Sequence, residues 1–298
     1  MYSIFHVQGG IGKHVASTAV AKVIKNNYPD RKLIIVCAYP NIFSNLTFVD
    51  RVYPLGETQY FYQEYIQNKD SLIFAHEPYY TTDHIHKKRS LIDNWCNIYN
   101  LDYNGEMPEL TYNRLQRKGA EQFWKTDKPL MVIHTNGGMM TTDAKPYSWT
   151  RDMPEKTAQA LVDHYKKDYT IIQVTKVNSS KLEGAHHLFA TQQQSLPIPD
   201  FFSVLLMSKR NILIDSSLQH AAAALNKRST VLWNGTSPTV FGYDLHTNIL
   251  PAIDFKINLP DSYLFDFSFE GEEGEYPYGE NEDIFDVDKI IEKSIEVE

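Results

Sequence analysis

The stretch NILIDSSLQHAAAALNKRSTVLWNGTSP, Asn211 to Pro238, sets an acid, two serines, a glutamine and a histidine between two short apolar runs. Asp215 ends the first run, and Ser216, Ser217, Gln219 and His220 open the alanine-rich segment that follows. A carboxylate, hydroxyls, an amide and an imidazole thereby gather where a strand should give way to a helix. The unpaired amides of such a helix start attract phosphate, and the side chains suit sugar hydroxyls. Zinc would need a third His, Cys or carboxylate at ligand spacing; none is evident, so no metal is expected. The same residues admit a plainer reading, in which Asp215 caps the helix and His220 is a satisfied core histidine.

Two glycine turns stand in comparable places. GGIGK, Gly9 to Lys13, follows the apolar run Tyr2–Val7, and NGG, Asn136 to Gly138, follows Leu130–Thr135. Glycines at a strand end let the backbone approach a ligand, and a tight turn needs them as well. Neither phosphate signature is met: GxxxxGK[ST] is absent, and Val15 stands where the third glycine of GxGxxG would be. Repetition of the turn in both halves points to something bound between them, with Gly9, Gly10 and Gly12 leaving it room. Lys145, Trp149 and Arg151 follow the second turn, and either cation could neutralise a diphosphate leaving group. His84 and His86 lie two residues apart, a spacing that converges only on a strand or loop. No G-x-S-x-G elbow is present to support hydrolase chemistry.

These residues need strands and helices to hold them. Tyr2–Val7, the helical pattern through Ala16, Val20, Val23 and Ile24, and the run Lys32–Ala38 read as a βαβ unit whose helix stops at Pro29. Ser71–His76 is a further strand, whereas Tyr79–Leu110 shows no clear period. A second series has strands at Leu130–Thr135, Tyr169–Val174, Asn211–Ile214 and Ser229–Trp233. Between them lie helices at Pro154–Tyr165, in IPDFFSVLLMS, and through the alanines to Leu225. The reading is α/β with two parallel sheets, ligands sitting beyond the carboxyl ends of their strands. The expected division is 1–122, 123–270, and a tail at 271–298 carrying a terminal helix.

A chain of 298 residues can build two such domains, and 42% hydrophobic with 22% charged residues suits a soluble globular protein. The net charge of -8 is concentrated: Glu270–Glu298 holds twelve acids and two lysines, leaving 27 basic and 25 acidic residues elsewhere. A near-neutral body does not suggest a general nucleic-acid binder, yet it allows an anionic ligand in a local cleft. Cys37 and Cys96, far apart and outside any CxxC, fit a reducing compartment. No run reaches eighteen apolar residues, and the N-terminus lacks a signal-peptide pattern, so no transmembrane segment and a cytoplasmic location are expected.

The order of these motifs resembles the heptosyltransferase-like glycosyltransferases, the bacterial ADP-heptose:lipopolysaccharide transferases and their relatives. Asp215-Ser-Ser-Leu-Gln-His220 before four alanines is similar to that family's Asp-Thr/Ser-Gly, two variable residues and histidine. VLWNGTSP is similar to its strand ending in Gly-Thr-x-Pro, which by resemblance puts Gly235 and Thr236 near the donor. VIHTNGG…AKPYSWTRDMP resembles its lysine–tryptophan segment, although Lys145 and Trp149 are four apart and no proline follows Trp149.

The resemblance implies a GT-B arrangement of two facing Rossmann-like domains and an inverting transfer without metal or cofactor. The co-substrate would be a nucleotide-diphosphate sugar, and the enzyme a hexosyl-, pentosyl- or heptosyltransferase. The C-terminal domain would bind the donor through Asn136, Gly137, Lys145 or Arg151, Asp215, Ser216, Ser217, His220, Gly235 and Thr236. The N-terminal domain would present a glycan or lipopolysaccharide-type acceptor beside Gly9, Gly10, Gly12 and Lys13. A modified nucleic-acid acceptor is disfavoured, because no arginine–lysine stripe is present.

Two departures stand out. The family's catalytic aspartate lies just before the first helix, and here Lys13 occupies that place; Ser217 replaces a glycine. A lysine is normally protonated near neutral pH and cannot simply inherit the role of a base. Asp143, His14 and His84 are candidate replacements. The alternatives are a different donor and acceptor geometry, or a non-catalytic nucleotide- or carbohydrate-binding relative. An epimerase ranks lower, since its catalytic acids are not recognisable.

Overall fold

The structure is a computed structural model that describes residues 1–56, 58–137, 151–176, 179–189, 197–252 and 283–296. Apolar runs buried on both faces make its central strands, and shorter, more polar ones make the edges. Tyr2–Val7 (β1), Lys32–Cys37 (β2), Arg51–Pro54 (β3) and Ser71–Phe74 (β4) form one parallel sheet in the order β3-β2-β1-β4. Leu130–His134 (β5), Thr170–Thr175 (β6), His186–Phe189 (β7), Ser208–Ile214 (β8), Thr230–Leu232 (β9) and Thr247–Ile249 (β10) form the other, ordered β10-β9-β8-β5-β6-β7 and parallel throughout. The second order is the doubly wound, Rossmann-like one. Both sheets reverse winding beside their first strand, between β1 and β4 and between β5 and β8, where α/β proteins place ligands.

The helix Ile11–Asn27 (α1) follows β1 and is buried on nearly every side, from Lys13 through Ala21 and again at Val23 and Ile24. Its small residues fit it between the first sheet and Ser217–Ala224 (α8), the alanine-rich helix after β8. A helix apolar all round belongs between two layers, and this one joins the two halves. The short helices Phe61–Tyr65 (α2) and Thr82–Ile85 (α3) precede Leu91–Ile98 (α4), which packs on α1. Arg114–Phe123 (α5) starts from a capping box between Asn113 and Gln116 and lies on Ile198–Met207 (α7). Glu155–Tyr165 (α6) covers the second sheet, with Val287–Lys293 (α10) against it, and Pro238–Phe241 (α9) follows β9.

One apolar cluster runs through both halves, taking in Phe5, Val15, Leu33 and Trp95 together with Leu213, Leu218, Ala222 and Phe241. The chain between the halves is stitched across the α1–α8 contact. The Glu109 amide donates to Thr18 Oγ1 at 2.8 Å, and the Leu110 amide donates to the Ala224 carbonyl at 3.2 Å. The far side of the second sheet is closed by α10, whose Ile290 joins Ile284, Leu161 and Tyr165 in a second cluster.

Candidate functional site

At the second sheet's reversal point, the turn after β5 meets the turn after β8. A Cβ at Gly137 would lie 3.5 Å from Ser216 Cβ, ordinary contact distance, so the two strand ends pack directly on each other. Asn136 is occupied in holding this turn. Its Oδ1 accepts from Thr135 and Thr175 at 2.8 and 2.7 Å, and its Nδ2 donates to Asp152 at 3.1 Å. Asp152 also accepts the Gly137 amide at 2.9 Å. Asn136, Gly137 and Asp152 are therefore the scaffold of the turn, and Asp152 has no counterpart among the sequence candidates.

Asp215, four percent exposed, lies at the end of β8. Burial raises its pKa, and the charge of Arg151 opposes the rise. Ser216 is the N-cap of α8, yet its side chain makes no capping hydrogen bond. Arg151 acts electrostatically on Asp215, His134 and His220, so its guanidinium belongs to the same site. Lys176, just past β6, is five percent exposed, and its Nζ has no hydrogen-bond partner among the described residues. Burial lowers its pKa; Asp152 acts the other way and Arg151 adds to the lowering. A buried ammonium without a partner is costly unless an anion joins it. His220 shares a 2.7 Å hydrogen bond with the Tyr243 hydroxyl, and burial holds it down to about 3, a neutral imidazole. Gly235 and Thr236 are half-buried on the turn after β9.

On the first sheet, α1 begins at Gly10 with neither a side-chain cap nor an acid in its first turn. Gly9 has φ +95, a conformation that favours glycine, and a Cβ there would lie 3.2 Å from Lys13 Cδ. Space at Gly10 is open, whereas a Cβ at Gly12 would sit 3.0 Å from His220 Cδ2 and 3.2 Å from Ser217 Cα. The missing side chain of Gly12 thus admits α8 itself; the room there is taken by protein. The uncapped first turns of α1 and α8 consequently touch, and their positive ends lie side by side.

Lys13 is buried beneath this contact. Its ammonium pairs with Glu77 and lies 5.1 and 5.3 Å from the ring centroids of Tyr79 and Trp95. Burial pulls it down to about 8. His14 is consumed by the fold, since Nδ1 bonds the Gly10 carbonyl at 2.9 Å and Nε2 accepts the Ala38 amide at 3.2 Å. Neither ring nitrogen remains to take a substrate proton. His84 packs edge-on against Tyr79 and against Phe241 of the other half, with ring centroids at 5.1 and 5.8 Å. Its buried Nδ1 has no hydrogen-bond partner among the described residues, and burial lowers the imidazole to about 4. Asp143, Lys145, Trp149 and Gly138 lie outside the described residues.

No family model matches the sequence, and no curated protein is significantly similar to it. Solved structures are. The chain aligns over 98% of its length with 95% of a glycosyl transferase family 9 protein from Veillonella parvula DSM 2008, at a TM-score of 0.68 and 13% identity. ADP-heptose lps heptosyltransferase II of E. coli gives a TM-score of 0.63 at 12% identity, covering 85% of this chain and 91% of that one. The E. coli heptosyltransferase WaaC with ADP gives 0.55 at 13% identity, covering 84% and 93%. The chain has the GT-B fold. At 12% to 13% identity the likeness is one of architecture. In this GT-B chain the two reversal points meet where α1 and α8 touch, with Asp215 on one side and Lys13–Glu77 on the other. Among the described residues, no group of three or more His, Cys, Asp or Glu is placed to hold a metal ion. Nor is any described helix long and apolar enough to cross a membrane.

Of the sequence candidates, Arg151, Asp215, Ser216, Ser217 and His220 come together near the end of β8. Sequence reasoning missed Lys176, Asp152 and Glu77. Lys176 and Glu77 are single charged residues just past strand ends, which was the one available signal, and Asp152 stands just before α6.

Proposed function

We propose that the protein is an inverting glycosyltransferase that moves a sugar from a nucleotide-diphosphate donor to a hydroxyl of a glycan or lipopolysaccharide-type acceptor. The observation that carries this reading is the buried, unpartnered Lys176 ammonium beside Arg151, at the sheet edge where Asp215 and the uncapped start of α8 also lie. Two cations and a helix end suit a diphosphate, while Asp215 accepts a hydroxyl of the donor. As the acceptor oxygen attacks the anomeric carbon, charge builds on the departing diphosphate. Arg151, Lys176 and the first amides of α8 stabilise that charge.

The test is a thermal-shift screen with ADP-, UDP-, GDP- and CMP-sugars, followed by transfer from the labelled donor that binds and assignment of product anomeric configuration by NMR. Binding of none of them, or a product retaining the donor's configuration, sinks the reading. A second reading, a nucleotide- or carbohydrate-binding protein without turnover, draws on Lys13 standing where the resembling family has its acid. Tight donor binding without transfer to any acceptor would favour it.

A further inference from the structure

If Lys13 cannot act as a base, a carboxylate has to come from elsewhere, and the ion pair at Lys13 brings one to the same spot. Glu77 follows β4, and β4 pairs with β1 across the first sheet's reversal point. The carboxylate therefore stands at the strand edge where such a sheet places its ligand.

Its backbone is clamped on both sides. The His76 carbonyl accepts from Trp95 Nε1 at 3.1 Å and from the Tyr99 hydroxyl at 2.9 Å. The Pro78 carbonyl accepts from Asn94 Nδ2 at 2.7 Å and from Thr81 Oγ1 at 3.1 Å. The side chain is held as well, since Oε2 takes the Lys13 ammonium. Lys13 is enclosed at 6% side-chain exposure, whereas Glu77 keeps 31%. One end of the pair is thus sealed behind Tyr79 and Trp95, and the other opens outward. Two contacts bring it to the boundary between the halves. Gly12, next to Lys13, touches Ser217 and His220, and Tyr79 reaches Phe241 through His84.

We propose that Glu77 is the catalytic base that takes the acceptor hydroxyl proton and that Lys13 positions it, an assignment that rests on the glycosyltransferase reading above. In the step, the acceptor oxygen forms its bond to the anomeric carbon as the bond from that carbon to the diphosphate oxygen breaks. The electron pair leaves with the diphosphate, and the proton passes to Glu77 and later to water.

The test uses the full chain and the ADP-, UDP- and GDP-sugar that binds most tightly. It follows nucleoside diphosphate release with water and with hexose- or heptose-terminated oligosaccharides as acceptors. Glu77→Gln should lower kcat by about 10²- to 10⁴-fold, the ordinary worth of a general base, with donor affinity within twofold of wild type. Because that variant leaves a buried cation unpaired, Lys13→Met/Glu77→Gln serves as a charge-free partner and should be equally slow. The exchanged pair, Lys13→Glu/Glu77→Lys, restores the ion pair but moves the carboxylate to the sealed end, so it should stay as slow as Glu77→Gln; recovery to the wild-type rate would show that the pair serves only the fold and overturn the assignment. A Glu77→Gln or double variant turning over at the wild-type rate overturns the assignment and leaves the glycosyltransferase reading standing. Wild type that binds no nucleotide sugar overturns both.

Discussion

Lys176 Nζ and His84 Nδ1 are both buried without a hydrogen-bond partner among the described residues, and they invite opposite experiments. Lys176 carries its charge into a site that also holds Arg151 and Asp152. Replacing it with methionine removes an uncompensated cation from the interior while keeping most of the side-chain volume, so thermal stability should hold or rise. Donor affinity should nevertheless fall at least tenfold, about 1.4 kcal/mol. A titration calorimeter reads the second quantity, and unchanged affinity removes Lys176 from the diphosphate site. His84 packs between two aromatic rings and is held neutral. His84 and His246 are lowered to about 4, and His134 and His220 to about 3, all by burial from the ordinary 6.5. Their folded values lie below their unfolded ones, so the stability they contribute is complete above pH 6.5. As the pH falls from 6.5 towards 4, the unfolded chain takes up protons that the folded chain does not, and that stability is lost. His84→Phe keeps a ring between Tyr79 and Phe241 and should make the urea-unfolding free energy depend on pH with one proton less across this interval. An unchanged slope would mean that His84 titrates normally.

Two glycines in helices make the corresponding point for elements. Gly119 in α5 has nothing within 4 Å of its missing side chain, and Gly12 in α1 has His220 at 3.0 Å. Gly119→Ala should therefore stabilise by about 0.5–1 kcal/mol through helix propensity alone. Gly12→Ala should destabilise by about 1–3 kcal/mol, because the added carbon wedges α1 from α8. Urea titration of both variants checks the pair, and like signs would show that the α1–α8 contact yields easily. The helix α1 itself was legible in sequence, as were β1, β2, β5, β6 and β8, whose runs of buried apolar residues leave little ambiguity. The strands β3, β7 and β10 were not, because RVYP, HHLF and TNI are short, mixed in polarity and sit on or near sheet edges. The polar segment QRKGAEQF is the body of α5, and a helix that buries Ala120 and little else gives a weak apolar period. At the site, residues clustered in sequence around Asp215 could be read together. Lys13 and Glu77 are 64 positions apart, and only the pairing of β1 with β4 brings them to one edge.

For the whole molecule, the decisive arrangement is the strap at Glu109 and Leu110, bonded to α1 on one side and to α8 on the other. A ligand held between the two sheets would draw the halves together. Sliding α1 along α8 would break both strap bonds and drive His220 into the backbone at Gly12, whereas turning about their line of contact breaks neither. The contact is accordingly expected to serve as a hinge pin on which the two sheets swing as leaves. Displacement then grows with distance from the pin and is largest at outer strands such as β3 and β10. Cysteines introduced at Arg51 and Leu250 can carry the labels, since both native cysteines, Cys37 and Cys96, are buried. Donor addition should change the distance between those labels while the Leu110 amide stays protected from hydrogen exchange. Loss of that protection on binding would show the pin itself coming apart. A molecule built this way has its stiffest line beside the proposed site, so motion of the leaves should displace Glu77 and Asp215 least.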